Sequence, residues 1–137
     1  MTTIKICDVG GTYRFWFIFP FEKFEEIKFQ ITLINLQEIV SSEEENYKNI
    51  IQHKNVSFSQ EIGSGYDLNH IKSDFYDLSH SNSVVEHVGD WKNIKSFMYE
   101  VIRVGKYHFI PTPKLLVPCR TSLFFTISPL FPKTYSH

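Results

Sequence analysis

The stretch that most restricts the fold lies at the N-terminus, where the chain reads IKICDVGGT. Ile4 to Val9 is apolar almost throughout, as expected of a strand buried on both faces, and such strands belong to parallel sheets covered by helices. One acid, Asp8, interrupts the run, and two glycines, Gly10 and Gly11, end it. A turn accounts for the glycines. It does not account for the carboxylate before them, and an acid in that place can order the glycine loop or bind a cationic group.

The rest of the chain repeats the alternation that a parallel sheet requires. Strand-like runs recur at Gln30 to Leu36, Asn55 to Ile62, Phe75 to Ser81 and Lys106 to Pro111. Between the last two, WKNIKSFMYEVIRV sets Trp91, Ile94, Phe97, Met98, Val101 and Ile102 on one helical face. Gly89 and Asp90 precede that helix, and Gly105 is expected to close it. Ahead of it, Ser83 and Glu86 have the spacing of a capping box. The segment after Gly11 should be helical until Pro20 breaks it. The acidic run from Ser41 to Asn46 reads as a solvated loop or a helix start. Strands alternating with helices predict an α/β protein, a three-layer Rossmann-like and mostly parallel sheet with the first strand central.

Composition narrows the partners. A length of 137 residues suits one domain, and a net charge of -1 supplies no field for nucleic acid or an anionic membrane surface. Cys7 and Cys119 stand far apart with no CxxC pair, which argues against a disulfide scaffold or a zinc site and for a reducing compartment. The N-terminus lacks a basic region followed by an apolar core, and FWFIFPF is too short to span a bilayer. The expectation is a cytoplasmic protein with no membrane partner. Thirteen Phe residues call for a bulky core or leave apolar surface exposed.

In open parallel sheets ligands bind beyond the carboxyl ends of the strands, and DVGG lies at such an end. Glycines there let a ligand approach the backbone, and free amides of the following helix can meet its polar groups. A dinucleotide fold would want a third glycine, but Tyr13, Arg14 and Phe15 follow Gly10, Gly11 and Thr12, which disfavours a nicotinamide enzyme. Glu86 reads as a capping partner of Ser83 before an acid catalyst, and His87 as packed or solvated before a base. His80 and His87 lack a convincing metal spacing and a third ligand, so no metal is expected. Trp91 and Phe97 read as core.

The whole order of pieces carries more. ICDVGGT, ITLINL, IGSGYDL, FYDLSHSNSVVEHVGDW and EVIRVGKYHFIPTP, spanning Ile4 to Pro113, resemble the class I S-adenosylmethionine-dependent methyltransferases, in particular a small-molecule methyltransferase group. SNSVVEHVGDW and RVGKYHFIPTP are the specific part of the likeness. The resemblance implies methyl transfer from S-adenosylmethionine to a small-molecule acceptor. It also implies a cofactor site at Asp8, Gly10 and Gly11, at Asn35 after the second strand, at Ser64 in the third motif, and at Ser81 and Asn82 after the fourth strand. Asn35 stands where the family usually has an acid on the ribose hydroxyls, and Ser64 where it usually has Asp beside the adenine. No catalytic residue is assigned, because the sulfonium already activates the methyl group and alignment is the main requirement.

Residues 1–113 thus read as a methyltransferase-like cofactor-binding core, and 114–137 as an atypical tail. KLLVPCRTSLFFTISPLFPKTYSH has no useful periodicity, and its prolines interrupt any long strand. Codons that encode it can, read one base later, give NYWFPVEPHFF, which resembles the family's downstream segment. The expectation is a frame lost near Pro113, a tail out of frame or disordered, a start clipped of the usual leading helix, and a sheet incomplete at both ends. A catalytically inactive remnant or binding module of the same fold is the alternative reading.

Overall fold

A computed structural model describes residues 1–82, 90–113 and 123–124. Five parallel strands form one sheet: β1 (Thr2–Val9), β2 (Ile27–Asn35), β3 (Val56–Ile62), β4 (Tyr76–His80) and β5 (Gly105–Phe109), in the order β3-β2-β1-β4-β5. The first strand is central, as its apolar run predicts. Its register pairs Cys7 with Thr32 on one side and Ser79 on the other, and Asp8 with Leu33 and His80.

Helices α1 (Tyr13–Phe17) and α2 (Ser42–Ile50) lie on one face, and α3 (Trp91–Val104) on the other. Strand alternation divides the core accordingly. Cys7, Val9 and Ile34 pack with Phe97, Val101 and Val104 of α3, whereas Ile6, Ile31 and Leu33 pack with Tyr13 and Trp16 of α1. Phenylalanines fill the α1 face: Phe19, Phe21, Phe24 and Phe29 form a ring cluster around the chain reversal at Pro20. Buried Asn55 ties that reversal down, its amide donating to the carbonyls of Phe21 (2.9 Å) and Phe24 (3.0 Å).

Local signals set the helix ends. Pro20 stops α1 after five residues. The acidic run opens α2, with Ser41 Oγ accepting from the Glu44 amide at 3.2 Å. Asp90 caps α3 by accepting from the Asn93 amide at 2.9 Å. Gly105 does not close α3 in a left-handed turn. It is extended (φ -115°) and begins β5, and a Cβ there would stand 2.6 Å from the Ser79 amide nitrogen, so the glycine serves close strand approach.

Thr112–Pro113 and Leu123–Phe124 pair as a short antiparallel ladder. Ser83, Glu86, His87, Gly89, Cys119 and the remainder of 114–137 lie outside the described residues, and so do the expectations that rest on them. Among the described residues no helix is long and apolar enough to cross a membrane.

Candidate functional site

The question posed by DVGG is answered where β1 meets α1. Asp8 is 1% exposed, and its carboxylate turns back beneath the loop. One oxygen accepts from the Trp16 indole N–H at 2.7 Å, and the other lies 2.8 Å from His80 Nδ1. The carboxylate also fills the space that a Cβ on Gly11 would need, so residue 11 must be glycine while Asp8 keeps this position. Gly10 has φ 75°, a left-handed conformation that side chains resist, and its amide donates to the Ile34 carbonyl at 2.7 Å. The acid organises the loop, and the glycines make room for both the acid and the turn.

Asn35, the last residue of β2, donates from Nδ2 to the Gly11 carbonyl at 2.9 Å. It thereby fastens the second strand to the first loop. The amides opening α1 are not free to meet a ligand, contrary to expectation: Glu44 of α2 accepts from the Tyr13 amide (2.8 Å) and the Arg14 amide (3.3 Å).

Beyond the carboxyl ends of β1, β2 and β3 opens a cavity of about 510 Å³, lined by Gly10, Asn35, Gln37, Ser64, Tyr66 and apolar side chains including Ile34 and Phe97. Its size lies within the ~300–1,000 Å³ usual for small-molecule sites. Gly65 belongs to the same wall. A Cβ on it would come within 2.5 Å of the Phe97 ring and 3.0 Å of Val9.

A clamp from α3 holds the loop that supplies this wall. Glu100 Oε2 accepts from the Leu68 amide at 2.6 Å, while Arg103 donates to the carbonyls of Leu68 (2.8 Å) and Ile71 (2.7 Å). The two side chains pair directly at 2.9 Å. Burial alone would raise the Glu100 carboxyl, but the Arg103 hydrogen bonds, the Leu68 amide and the guanidinium charge outweigh it and leave the group below its usual value.

The structure therefore gathers Gly10, Asn35 and Ser64 at one cavity, with Asp8 and Gly11 supporting its floor from behind. Ser64 Oγ is a buried atom without a hydrogen-bond partner among the described residues. Ser81 is buried and donates from Oγ to the Val9 carbonyl at 2.9 Å, joining β4 to β1. Asn82 instead borders a separate hollow with Arg14, Phe17 and Tyr47. Cys7 is inert: burial first, and then the neighbouring Asp8, push its thiol far above the ordinary range.

Sequence reasoning missed the pairing of Asp8 with His80 and the helix-start role of Glu44. Only the adjacency of β1 and β4, which places residues 8 and 80 side by side, reveals the first. The second needs the packing of α2 beside α1.

No protein-family profile and no curated protein matches the chain. Solved structures do. A methyltransferase dependent on S-adenosylmethionine from Methanosarcina mazei superposes with a TM-score of 0.57 at 16% identity, over 81% of this chain and 53% of its own. Phosphoethanolamine N-methyltransferase 1 of Haemonchus contortus, solved with phosphoethanolamine and S-adenosylhomocysteine, gives 0.56 at 18% identity, over 89% of this chain and 24% of its own. A methyltransferase of the same dependence from Aquifex aeolicus gives 0.53 at 18%, over 81% and 57%. The chain thus spans from a quarter to just over half the length of these proteins. Its fold is that of the class I S-adenosylmethionine-dependent methyltransferases.

Proposed function

We propose that this chain, built on the class I methyltransferase fold, binds S-adenosylmethionine in the cavity beyond β1, β2 and β3 and serves methyl transfer to a small-molecule acceptor. The observation that carries the reading is the convergence there of Gly10, Asn35 and the unpartnered Ser64 Oγ. The donor set fits a nucleoside with an amino-acid tail. Gly10 leaves its face of the cavity without a side chain, Asn35 and Gln37 offer donors and acceptors for hydroxyls, and Ser64 Oγ can meet a ring nitrogen. Ile34, Leu36, Ile39 and Tyr66 supply apolar cover for a flat base.

When bound, the cofactor supplies a methyl group already activated by its sulfonium. The chain's own contribution is then binding and alignment. Gly10 and Asn35 fix one end of the ligand, Ser64 and Tyr66 the other, and the Glu100–Arg103 clamp keeps the Ser64–Tyr66 wall in place. Asn35 in place of an acid removes one charge-assisted contact to a ribose, so affinity is expected to be modest. The alternative, a binding module that retained the fold without the cofactor, draws on that same residue.

Titration of the purified chain by calorimetry with S-adenosylhomocysteine and, separately, with NAD tests the reading. Saturable binding of S-adenosylhomocysteine alone supports it. Binding of neither by a folded chain points to the module, and preference for NAD overturns the methyltransferase assignment.

A further inference from the structure

The strap that joins β2 to α2 lends Leu36, Gln37 and Ile39 to the wall of the proposed cofactor cavity. It has no ladder of its own: among the described residues, Leu36 to Val40 make no backbone–backbone hydrogen bond. Leu36 and Val40 are 71% and 74% exposed, and it is Ile39 that packs onto the core beneath α1. The hydrogen bonds that hold the strap converge on one side chain, Gln60 of β3. Its Oε1 accepts from the Ile39 amide at 2.8 Å, and its Nε2 donates to the Ile39 carbonyl at 3.4 Å. Nε2 also donates to the hydroxyl oxygen of Tyr13, a buried residue of α1, at 3.1 Å. A backbone N–H only donates and a carbonyl only accepts, so the two contacts at Ile39 fix which way the Gln60 carboxamide faces. Its oxygen and both of its N–H bonds are engaged. Glutamate would lack the donors, and an apolar residue would lack the acceptor as well.

We infer that Gln60 is a positioning residue for the proposed cofactor cavity, acting through Ile39 to hold the strap as a ready-formed wall for a flat base. Gln60 does not itself line the cavity. The inference rests on the proposed binding of S-adenosylmethionine there and adds a residue that sets its tightness. A wall ordered before the ligand arrives removes the cost of ordering it on binding. Without the anchor the strap opens locally, because few other contacts hold it.

The test compares the unmodified chain with Gln60→Met, which keeps the side chain's length without its carboxamide, and with Tyr13→Phe, which removes only the third contact. Amide hydrogen exchange, followed by NMR without ligand, should quicken about tenfold at Ile39 in Gln60→Met and stay unchanged at Ile31 and Leu33 of β2. Calorimetry should show S-adenosylhomocysteine, and adenosine alone, bound about tenfold more weakly by Gln60→Met, with no change in Tyr13→Phe. Unchanged affinity in Gln60→Met would overturn the inference. Exchange that quickens equally at Ile31 and Leu33 would do the same, because Gln60 would then merely stabilise the sheet. So would an equal loss of affinity in Tyr13→Phe, which would put the effect in α1 and not in the strap. A folded unmodified chain that binds neither ligand overturns the proposed function and this inference with it. The exchange rates, taken without ligand, distinguish that case from failure of the anchor itself.

Discussion

The carboxylate of Asp8 occupies the place that a side chain on Gly11 would take. Acid and glycine are therefore one unit. Gly11→Ala should be strongly destabilising in the unmodified chain but much milder after Asp8→Ala, which vacates the space. The double-mutant cycle, read by denaturant unfolding, should give a coupling of ~1–3 kcal/mol. Additive effects would mean that the two residues do not compete for the space.

Gly10→Val tests the floor of the proposed cofactor cavity. The residue has φ 75°, so a β-branched side chain costs about 1–2 kcal/mol of strain and also intrudes beside Asn35. The variant should fold, by circular dichroism, yet lose measurable binding of S-adenosylhomocysteine. Undiminished binding would move the pocket elsewhere.

Glu100 and Arg103 make the clamp sensitive to acid. The Glu100 carboxyl is held below its ordinary value of 4.5, so its contribution is complete above the unfolded value and fades as pH falls through the folded one. Glu100→Gln should cost ~3 kcal/mol at pH 7, where it breaks a buried pair. That difference should shrink on acidification below about pH 4.5. A gap that stays constant to pH 3 would show that the carboxylate charge contributes nothing.

Among the described residues β5 is an edge of the five-stranded sheet, with Tyr107 46% exposed on it. Unpaired edges bearing exposed aromatics invite association between chains. Tyr107→Lys should lower light scattering at a given concentration without altering the melting temperature by more than a few degrees. Scattering that does not change would place the sticky surface elsewhere.

The sheet was legible in the sequence because strand-like runs alternate with helix-like ones and glycines and prolines punctuate them. Ile4 to Val9 as a central strand, the α3 stripe and the break at Pro20 all follow from local pattern. Gly105 misled for a local reason: a glycine after a helix reads as a cap, whereas here it lets β5 lie against Ser79. The site was legible in part. Gly10 follows a strand end, where the rule about strand ends directs attention, whereas Asn35 and Ser64 were singled out by the family resemblance; the structure places all three on one cavity. The partners of Asp8 were invisible, because Trp16 and His80 reach it through a helix turn and a strand pairing that no spacing encodes. Asn82 follows a strand end as well, but the end of β4 delivers it to the hollow beside α1.

The central claim is that the cavity beyond β1, β2 and β3 holds S-adenosylmethionine, and an amide-detected NMR titration with S-adenosylhomocysteine reads it most directly. The account predicts saturable shifts clustered at Gly10, Gly11, Asn35 to Gln37 and Gly63 to Tyr66, with the amides of Ile4, Phe15 and Tyr107 on the far face unmoved. A folded chain whose amides do not respond, or whose shifts gather around Phe15 and Tyr107 instead, would contradict it.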